Sequence, residues 1–537
     1  MVLSVMSVGP VASTGSAATA VDSCRVIDEP GTYELTRDLQ VDDESKPYCI
    51  QITASDVTFD GNGHLIHGNY TNAYEGVSTA TSSGVYVTGD GTLENVTVSN
   101  LTVEQWRFGV RAVDIEDATL TGITARDNRW MGLNLTEFDG GLVADATVTG
   151  TKKTAIRLRG NDTVVRSAVI SDSAGRSGRG QSLDAAGTNL TVADSRMMNN
   201  NDGPSVSGDG ATFRNNTVTT DDGLQVRGTN ARVVGNDVTY DGSLIGTVKV
   251  AGADAVVSDN RFDGVDVGPV GPDIAITENT FVRSSIGDII DDNDVETTDL
   301  TVSDNTFEES GVAVAAENST VSDNTFSGES FTTGAHVIIE GEFITVRDNA
   351  MTDPDTGVLV LGESATVTGN DVSGAAEAGV TVGNDIVEGS SATVADNTVT
   401  GATDGVRVDT VENVTITGNE LRGNGDGVHV VDQQSTEYVN CTEQVEEADA
   451  AVQIHRNAIV DNSEFGVHNE DEAIVNATGN YWGAANGPSS NSSDPDAPFA
   501  DPYTGTLADG SGDAVSEGPV DGESNVHFDG SLSASPL

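Results

Sequence analysis

One phrase keeps returning along this chain. Val302-Ser303-Asp304-Asn305-Thr306-Phe307 comes back as Val321-Ser322-Asp323-Asn324-Thr325-Phe326. It returns again, altered, as Val394-Ala395-Asp396-Asn397-Thr398-Val399 and Ile416-Thr417-Gly418-Asn419-Glu420-Leu421. The same Asn stands at 216, 236, 260, 279, 305, 324, 349, 370, 397, 419, 457 and 480, mostly 19 to 27 residues apart, with one interval of 38 that marks an insertion. Between these positions runs a second phrase: Gly311-Val312-Ala313-Val314, Gly357-Val358-Leu359-Val360, Gly379-Val380-Thr381-Val382, Gly405-Val406-Arg407-Val408 and Gly427-Val428-His429-Val430. β-Branched residues dominate, alternation has period two, and turn residues arrive too often for a helix. A period of about 22 residues with no helix is one coil of a solenoid. Each unit is expected to hold two short strands, and each turn Asn to satisfy backbone groups of its own and the next coil. Strands stacked coil on coil must run parallel. The predicted fold is therefore all-β: a single-stranded right-handed parallel β-helix, with roughly 19 coils rising ~4.8 Å each over ~90 Å. It occupies residues 85–485, after an N-terminal cap and first coils over 21–84. An irregular cap and tail follows over 486–537.

Charge narrows the partners. Asp and Glu number 85 against 25 Lys and Arg, a formal net charge of −60. Such a surplus repels nucleic acid and anionic lipid. In a foldable chain with only four Lys (Lys46, Lys152, Lys153 and Lys249), it reads as adaptation to high salt, or as an ordinary acidic exported protein. No apolar run is long enough to span a membrane. Residues 1–20 end in Ala18-Thr19-Ala20 and read as a partial export signal. Cys24 and Cys49 flank a segment with Pro30-Gly31 and Pro47. A bridge there would lock the N-terminal cap and suit an oxidising, extracytoplasmic setting, secreted or at the cell surface; two buried thiols are the alternative.

Asp60-Gly61-Asn62-Gly63-His64 with Ile66 and Gly68, preceded by Pro30-Gly31, Tyr33, Leu35 and Cys49-Ile50, resembles the opening coils of NosD-like and carbohydrate-binding/sugar-hydrolase (CASH) β-helix proteins. The closing Gly479-Asn480-Tyr481-Trp482-Gly483-Ala484-Ala485-Asn486-Gly487-Pro488 resembles their terminal phrase, where an aromatic pair would cover the open apolar end. The likeness looks closest to exported haloarchaeal members. It implies a fold and hardly any function, because the superfamily spans lyases, hydrolases, epimerases, adhesins and copper-enzyme accessory proteins.

Candidate chemistry is sparse. No pectate-lyase-like cluster of basic residue and Ca²⁺-binding Asp is evident, and Asp353-Pro354-Asp355 lacks the His of an epimerase-like phrase. Asn200-Asn201-Asp202-Gly203 precedes Asp221-Asp222-Gly223 by about one coil, a partial match to polygalacturonase-like hydrolases. Asp202, Asp221 and Asp222 are thus candidate catalytic carboxylates, with solvated turn acids as the plain alternative. Cations are more telling. Fifteen of the 25 lie between Arg107 and Arg232. Arg107, Arg129 and Lys152-Lys153 are expected at equivalent turns of successive coils, continued by Arg176, with Trp106 and Trp130 beside the first two. Arg111, Asn134 and Arg157 are expected to point outward on the next strand. These residues predict a basic strip edged by two indoles, either neutralised by Glu104, Asp127 and Asp162 or open to an anionic ligand. His336, His429 and His468 fall at outward positions of the Gly-Val-x-Val phrase, and His429 with His468 form a weak candidate pair for a soft divalent ion or copper. Asp288, Asp291, Asp292, Asp294 and Asp299 make an acidic turn suited to a structural Ca²⁺.

Three readings follow. The chain binds, with or without cleavage, an anionic polysaccharide or surface glycan; a cleaving member would be a polysaccharide lyase or glycoside hydrolase. Alternatively it is a NosD-like accessory to copper-enzyme maturation, or a structural surface or adhesion rod. A monomer is expected in each.

Overall fold

The computed structural model describes residues 17–41, 46–69, 82–173, 181–200, 202–220, 223–240, 242, 246–287, 297–330, 334–383, 390–409, 411–431, 434–439, 442–447, 451–491 and 497–537. Among them the chain is all strand and turn, without a helix, in two compact units, Met1–Asp202 and Gly203–Leu537.

In the N-terminal unit, strands Arg25–Ile27, Tyr48–Ile52, Ser83–Val87, Phe108–Glu116, Met131–Asp139, Ile156–Arg159 and Leu183–Ala186 stack in parallel, each on the one before. Alternation then sorts the side chains. Val85, Val110, Leu133, Ile156 and Leu183 share one register column and are fully buried. The next residue along forms an outward column: Tyr86, Arg111, Asn134, Arg157 and Asp184. Cys24 and Cys49 are bridged, with Cα atoms 4.5 Å apart, which ties the first coil down.

Coils of the C-terminal unit hold three strands, not the expected two. Thr301–Ser303, Thr306–Glu308 and Val312–Val314 make one coil. The residue before each ladder Asn takes the left-handed region and splits what the sequence presents as one strand. This holds at all twelve positions: Asn215, Gly235, Asp259, Glu278, Asp304, Asp323, Asp348, Gly369, Asp396, Gly418, Arg456 and Gly479 have φ between 54° and 71°. Gly, Asp and Asn tolerate that region best, which explains the recurrent Asp-Asn and Gly-Asn dipeptides.

The Asn side chains then form one internal ladder from Asn216 to Asn480. Asn305 is representative. Its backbone N–H and its Nδ2 both donate to Oδ1 of Asn324, at 2.9 and 3.0 Å, and Nδ2 also donates to the Ile276 carbonyl of an earlier coil. Every described rung is buried, so each bond satisfies a group that water cannot reach. Beside the ladder, Phe262, Phe281, Phe307 and Phe326 stack with centroids 4.5–5.3 Å apart. His336 ends that stack, 5.2 Å from Phe326. This corrects its expected outward place: in register it opposes Gly357, so it occupies the phrase's Gly position and points inward. Trp482 is fully buried, whereas Tyr481 is half-buried, with its hydroxyl bonded to the Gly483 carbonyl. Beyond Gly487, short strands Gly512–Val515 and Val526–His527 add to the coil edges at Val467 and Val475, burying Val515, Val526 and Phe528. Within the insertion, Gln434–Val439 and Thr442–Glu447 pair as an antiparallel hairpin.

Candidate functional site

The outward column of the N-terminal unit carries most of the polar chemistry. Phe108 pairs with Met131 and Leu133 with Ile156, so coils repeat here every 23 residues. The extra residue enters at Trp130: Glu104 still pairs with Arg126, 22 residues on, and the Arg129 N–H donates to the Trp106 carbonyl, so Arg107 and Arg129 keep step. The Arg107 side chain stacks on Trp130: the Trp130 N–H donates to the Arg107 carbonyl at 3.0 Å, and the Arg107 guanidinium lies 3.7 Å from the Trp130 ring centre. Lys153, from the following coil, places its ammonium 4.6 Å from the same ring. Phe108 meets Trp130 edge-on, with centroids 6.1 Å apart. One indole thus holds two cations from the coils on either side of it.

Arg111 sits beside this group over Tyr86, at 5.0 Å, and near Phe108, at 5.8 Å. Its buried Nε has no hydrogen-bond acceptor, and neither Arg111 nor Lys153 is in ion-pair contact with a carboxylate among the described residues. Arg157 differs. Its Nε is 3.7 Å from Asp184, whose carboxylate also takes both bonds from Arg159, at 2.7 and 2.8 Å. Next to these groups lies an open cleft of about 480 Å³ lined by Trp130, Met131, Lys153, Thr154, Arg157, Gln181, Asp184 and Asp202. Asp202 is half-buried and bridges in parallel to Gln181.

Several expectations change. Trp106 is buried, its Nε1 donating to the Ile66 carbonyl at 3.2 Å, and offers no stacking surface. It belongs to the core because its indole closes on the Gly68 turn, where a Cβ would come within 2.9 Å of the ring. Arg129 and Lys152 follow Arg107 at this turn, the Arg129 N–H donating to the Trp106 carbonyl and the Lys152 N–H to the Asn128 carbonyl. The carboxylates expected to neutralise the strip are engaged elsewhere: Glu104 binds Arg126 and His67, and Asp162 accepts from Asn189. Burial alone would push the Glu104 carboxyl up, but its bonds to His67 and Arg126 hold it below the usual range. Tyr86, Phe108 and Asp184 were missed. Tyr86 was within reach, since Gly84-Val85-Tyr86-Val87 repeats the phrase of Gly109-Val110-Arg111-Ala112. Arg176, Asp221, Asp222, Asp288, Asp291, Asp292 and Asp294 lie outside the described residues.

A family model described as "right handed beta helix region" matches residues 39–218 and 289–443. The chain belongs to that family. No curated protein matches it. Among solved structures, this β-helix chain is similar to a tailspike protein of E. coli bacteriophage HK620 in complex with a hexasaccharide: 14% identity, TM-score 0.32, covering 80% of this chain and 71% of that one. It is similar also to a PL6 alginate lyase in complex with a trisaccharide: 10% identity, TM-score 0.28, 80% and 96%. A third is the DFA-IIIase of Arthrobacter chlorophenolicus A6 with GF2: 13% identity, TM-score 0.26, 66% and 84%. Likeness at that level carries no ligand across to this chain.

A second polar cluster lies in the C-terminal unit. His429 and His468 are register partners on successive coils, stacked 4.6 Å apart and within 9° of parallel. Each is half-buried and braced by a buried carboxylate: His429 Nδ1 to Asp404 at 3.0 Å, His468 Nδ1 to Asp426 at 2.9 Å. Burial pushes the His429 imidazole down, but Asp404, Glu470 and Asp426 together push it further up, so it holds its proton above the ordinary range.

Proposed function

We propose that the outer face of the N-terminal unit binds an anionic polysaccharide outside the cytoplasm, with Arg111 and Lys153 as the contacts that recognise its acid groups. The observation that carries this is the placement of those two cations. In a chain of net charge −60 they rest on aromatic rings rather than against carboxylates, and the Arg111 Nε is buried without an acceptor. Leaving a buried charged donor unmet costs free energy that an arriving carboxylate or sulfate restores. The rings hold the two cations on coils two turns apart, a span that a polymer covers and a small anion does not. Trp130 serves as a cation platform rather than a sugar platform. Sugar hydroxyls find Gln181, Thr154, Asp184 and Asp202 along the adjoining cleft.

High salt sharpens the selection. At about 1 M the Debye length falls to ~3 Å, so distant acidic repulsion fades while direct contacts persist. The Cys24–Cys49 bridge supports an oxidising location. The test is affinity for a uronate polymer in molar NaCl, comparing the natural protein with Arg111→Glu/Lys153→Glu. Loss of binding, with a neutral polymer as a non-binding control, is expected. Equal affinity of the variant removes the proposal and leaves a structural rod.

A further inference from the structure

We propose that the polymer recognised on the N-terminal unit is a copolymer in which an acid sugar alternates with an uncharged one, lying across the strands along the stack. This rests on the anionic-polysaccharide reading above and adds the spacing of the charges. Arg111 belongs to strand Phe108–Glu116, and Lys153 stands just before Ile156–Arg159, two coils further on. Only a chain that crosses the strands meets both. Strands in register lie ~4.8 Å apart, so the two cations are separated by ~9.6 Å along the stack, about the advance of two sugars in an extended chain.

The coils between and beside them argue against an acid on every sugar. At one register position the outward side chains of five successive coils are Tyr86, Arg111, Asn134, Arg157 and Asp184. Asn134, on the coil between the two cations, is uncharged, and Arg129 at the turn of that coil already has a partner within the chain. A carboxylate placed there meets no free cation of its own coil. The Asn134 amide instead offers donors and an acceptor, which suit hydroxyl or acetamido groups. On the Lys153 coil the exposed Arg157 adds its charge: it comes no nearer to Asp184 than 3.7 Å, while Arg159 holds that carboxylate at 2.7 and 2.8 Å. The next coil presents Asp184, which offers only acceptors, fitting sugar hydroxyls and not a second acid group. Tyr86, on the coil before Arg111, carries no charge. A place for an acid therefore recurs at every second coil.

Loose attraction follows charge density and favours a homopolymer of acid sugars, which carries twice the charge per sugar. Preference for the half-charged polymer can come only from placement. The experiment is calorimetry of the full chain in molar NaCl with two oligomers of equal length. One alternates glucuronate with N-acetylglucosamine; the other is galacturonate throughout. The natural chain should bind the alternating oligomer about tenfold tighter. Asn134→Lys, which adds a cation to the middle coil, should reverse that order. Asn134→Ala should weaken the alternating oligomer about fivefold, the worth of one neutral hydrogen bond, and leave galacturonate unchanged. The melting temperature of each variant reports whether the coil still folds. Galacturonate bound by the natural chain as tightly as the alternating oligomer, or tighter, overturns the alternation and leaves the anionic-polysaccharide reading standing. A preference that Asn134→Lys leaves unchanged, in a folded variant, overturns the placement on this column. If neither oligomer binds, both readings fall.

Discussion

The two units wind the same way but differ in where certain cations rest. In the C-terminal unit Arg261 and Arg283 meet Asp263, Arg347 meets Asp323 and Asp348, Arg407 meets Asp404 and Asp409, and Arg422 meets Glu420 and Asp461. Its ladder Asn side chains turn inward and are buried. On the N-terminal unit Arg111 and Lys153 lie on rings instead. An exposed ion pair contributes little and leaves no net charge of its own. A cation on an aromatic platform is fixed in place and keeps its charge for a visitor. On the function proposed above, the same coil serves as scaffold in one unit and as a recognition surface in the other.

Breaking the scaffold should produce the largest effect. Asn324→Ala strips the acceptor from the Asn305 N–H and Nδ2, and the donor from the Val302 carbonyl, all buried. At about 1–3 kcal/mol for each unmet group, the loss should reach roughly 3–5 kcal/mol, read as a lower denaturation midpoint. Polymer binding by the folded fraction should stay unchanged. The reverse pattern is expected on the other side of the comparison: Arg111→Glu/Lys153→Glu should cost about 100-fold in affinity for a uronate polymer, with a midpoint shift under about 1 kcal/mol. A smaller scaffold effect tests the ring column. Phe307 stacks between Phe281 at 4.7 Å and Phe326 at 4.5 Å, so Phe307→Leu should cost about 1–2 kcal/mol through lost volume and ring contact.

The smallest effect concerns pH. Burial holds the His336 imidazole below its ordinary value of 6.5, with only the Gly328 carbonyl and Asp355 pulling it back. A group depressed in the fold takes up its proton on unfolding, so its stabilisation is complete above pH 6.5 and fades as pH falls below that. His336→Gln should flatten the stability profile between pH 7 and 5.5 relative to the natural chain. A natural profile already flat in that window contradicts the burial argument.

How far the sequence revealed this division is instructive. The ladder was legible at all twelve Asn because the same Asn recurs at coil spacing, at ten of them after an Asp, Asn or Gly. The outward sequence Arg111, Asn134, Arg157 was legible because it follows the period-two phrase. Register across turns was not. One extra residue, Trp130, enters between the Glu104–Arg126 and Phe108–Met131 pairs and takes the Arg107 side chain, and no local residue preference announces it. Trp106 and His336 failed for another reason. Their neighbours in space, the Gly68 turn and Phe326, lie on other strands of the winding, so burial there depends on contacts that the chain order does not display.

The scarcity of lysine allows a direct test of the central claim. A uronate oligomer carrying one carboxyl as its succinimidyl ester, and the rest free, acylates whichever amine it rests against. The chain offers four lysines, Lys46, Lys152, Lys153 and Lys249, distinguishable by peptide mass. Modification concentrated at Lys153, suppressed by unlabelled oligomer and by Arg111→Glu, is the predicted result. Labelling spread evenly over the four, as with a simple acetate ester, would contradict a built recognition face.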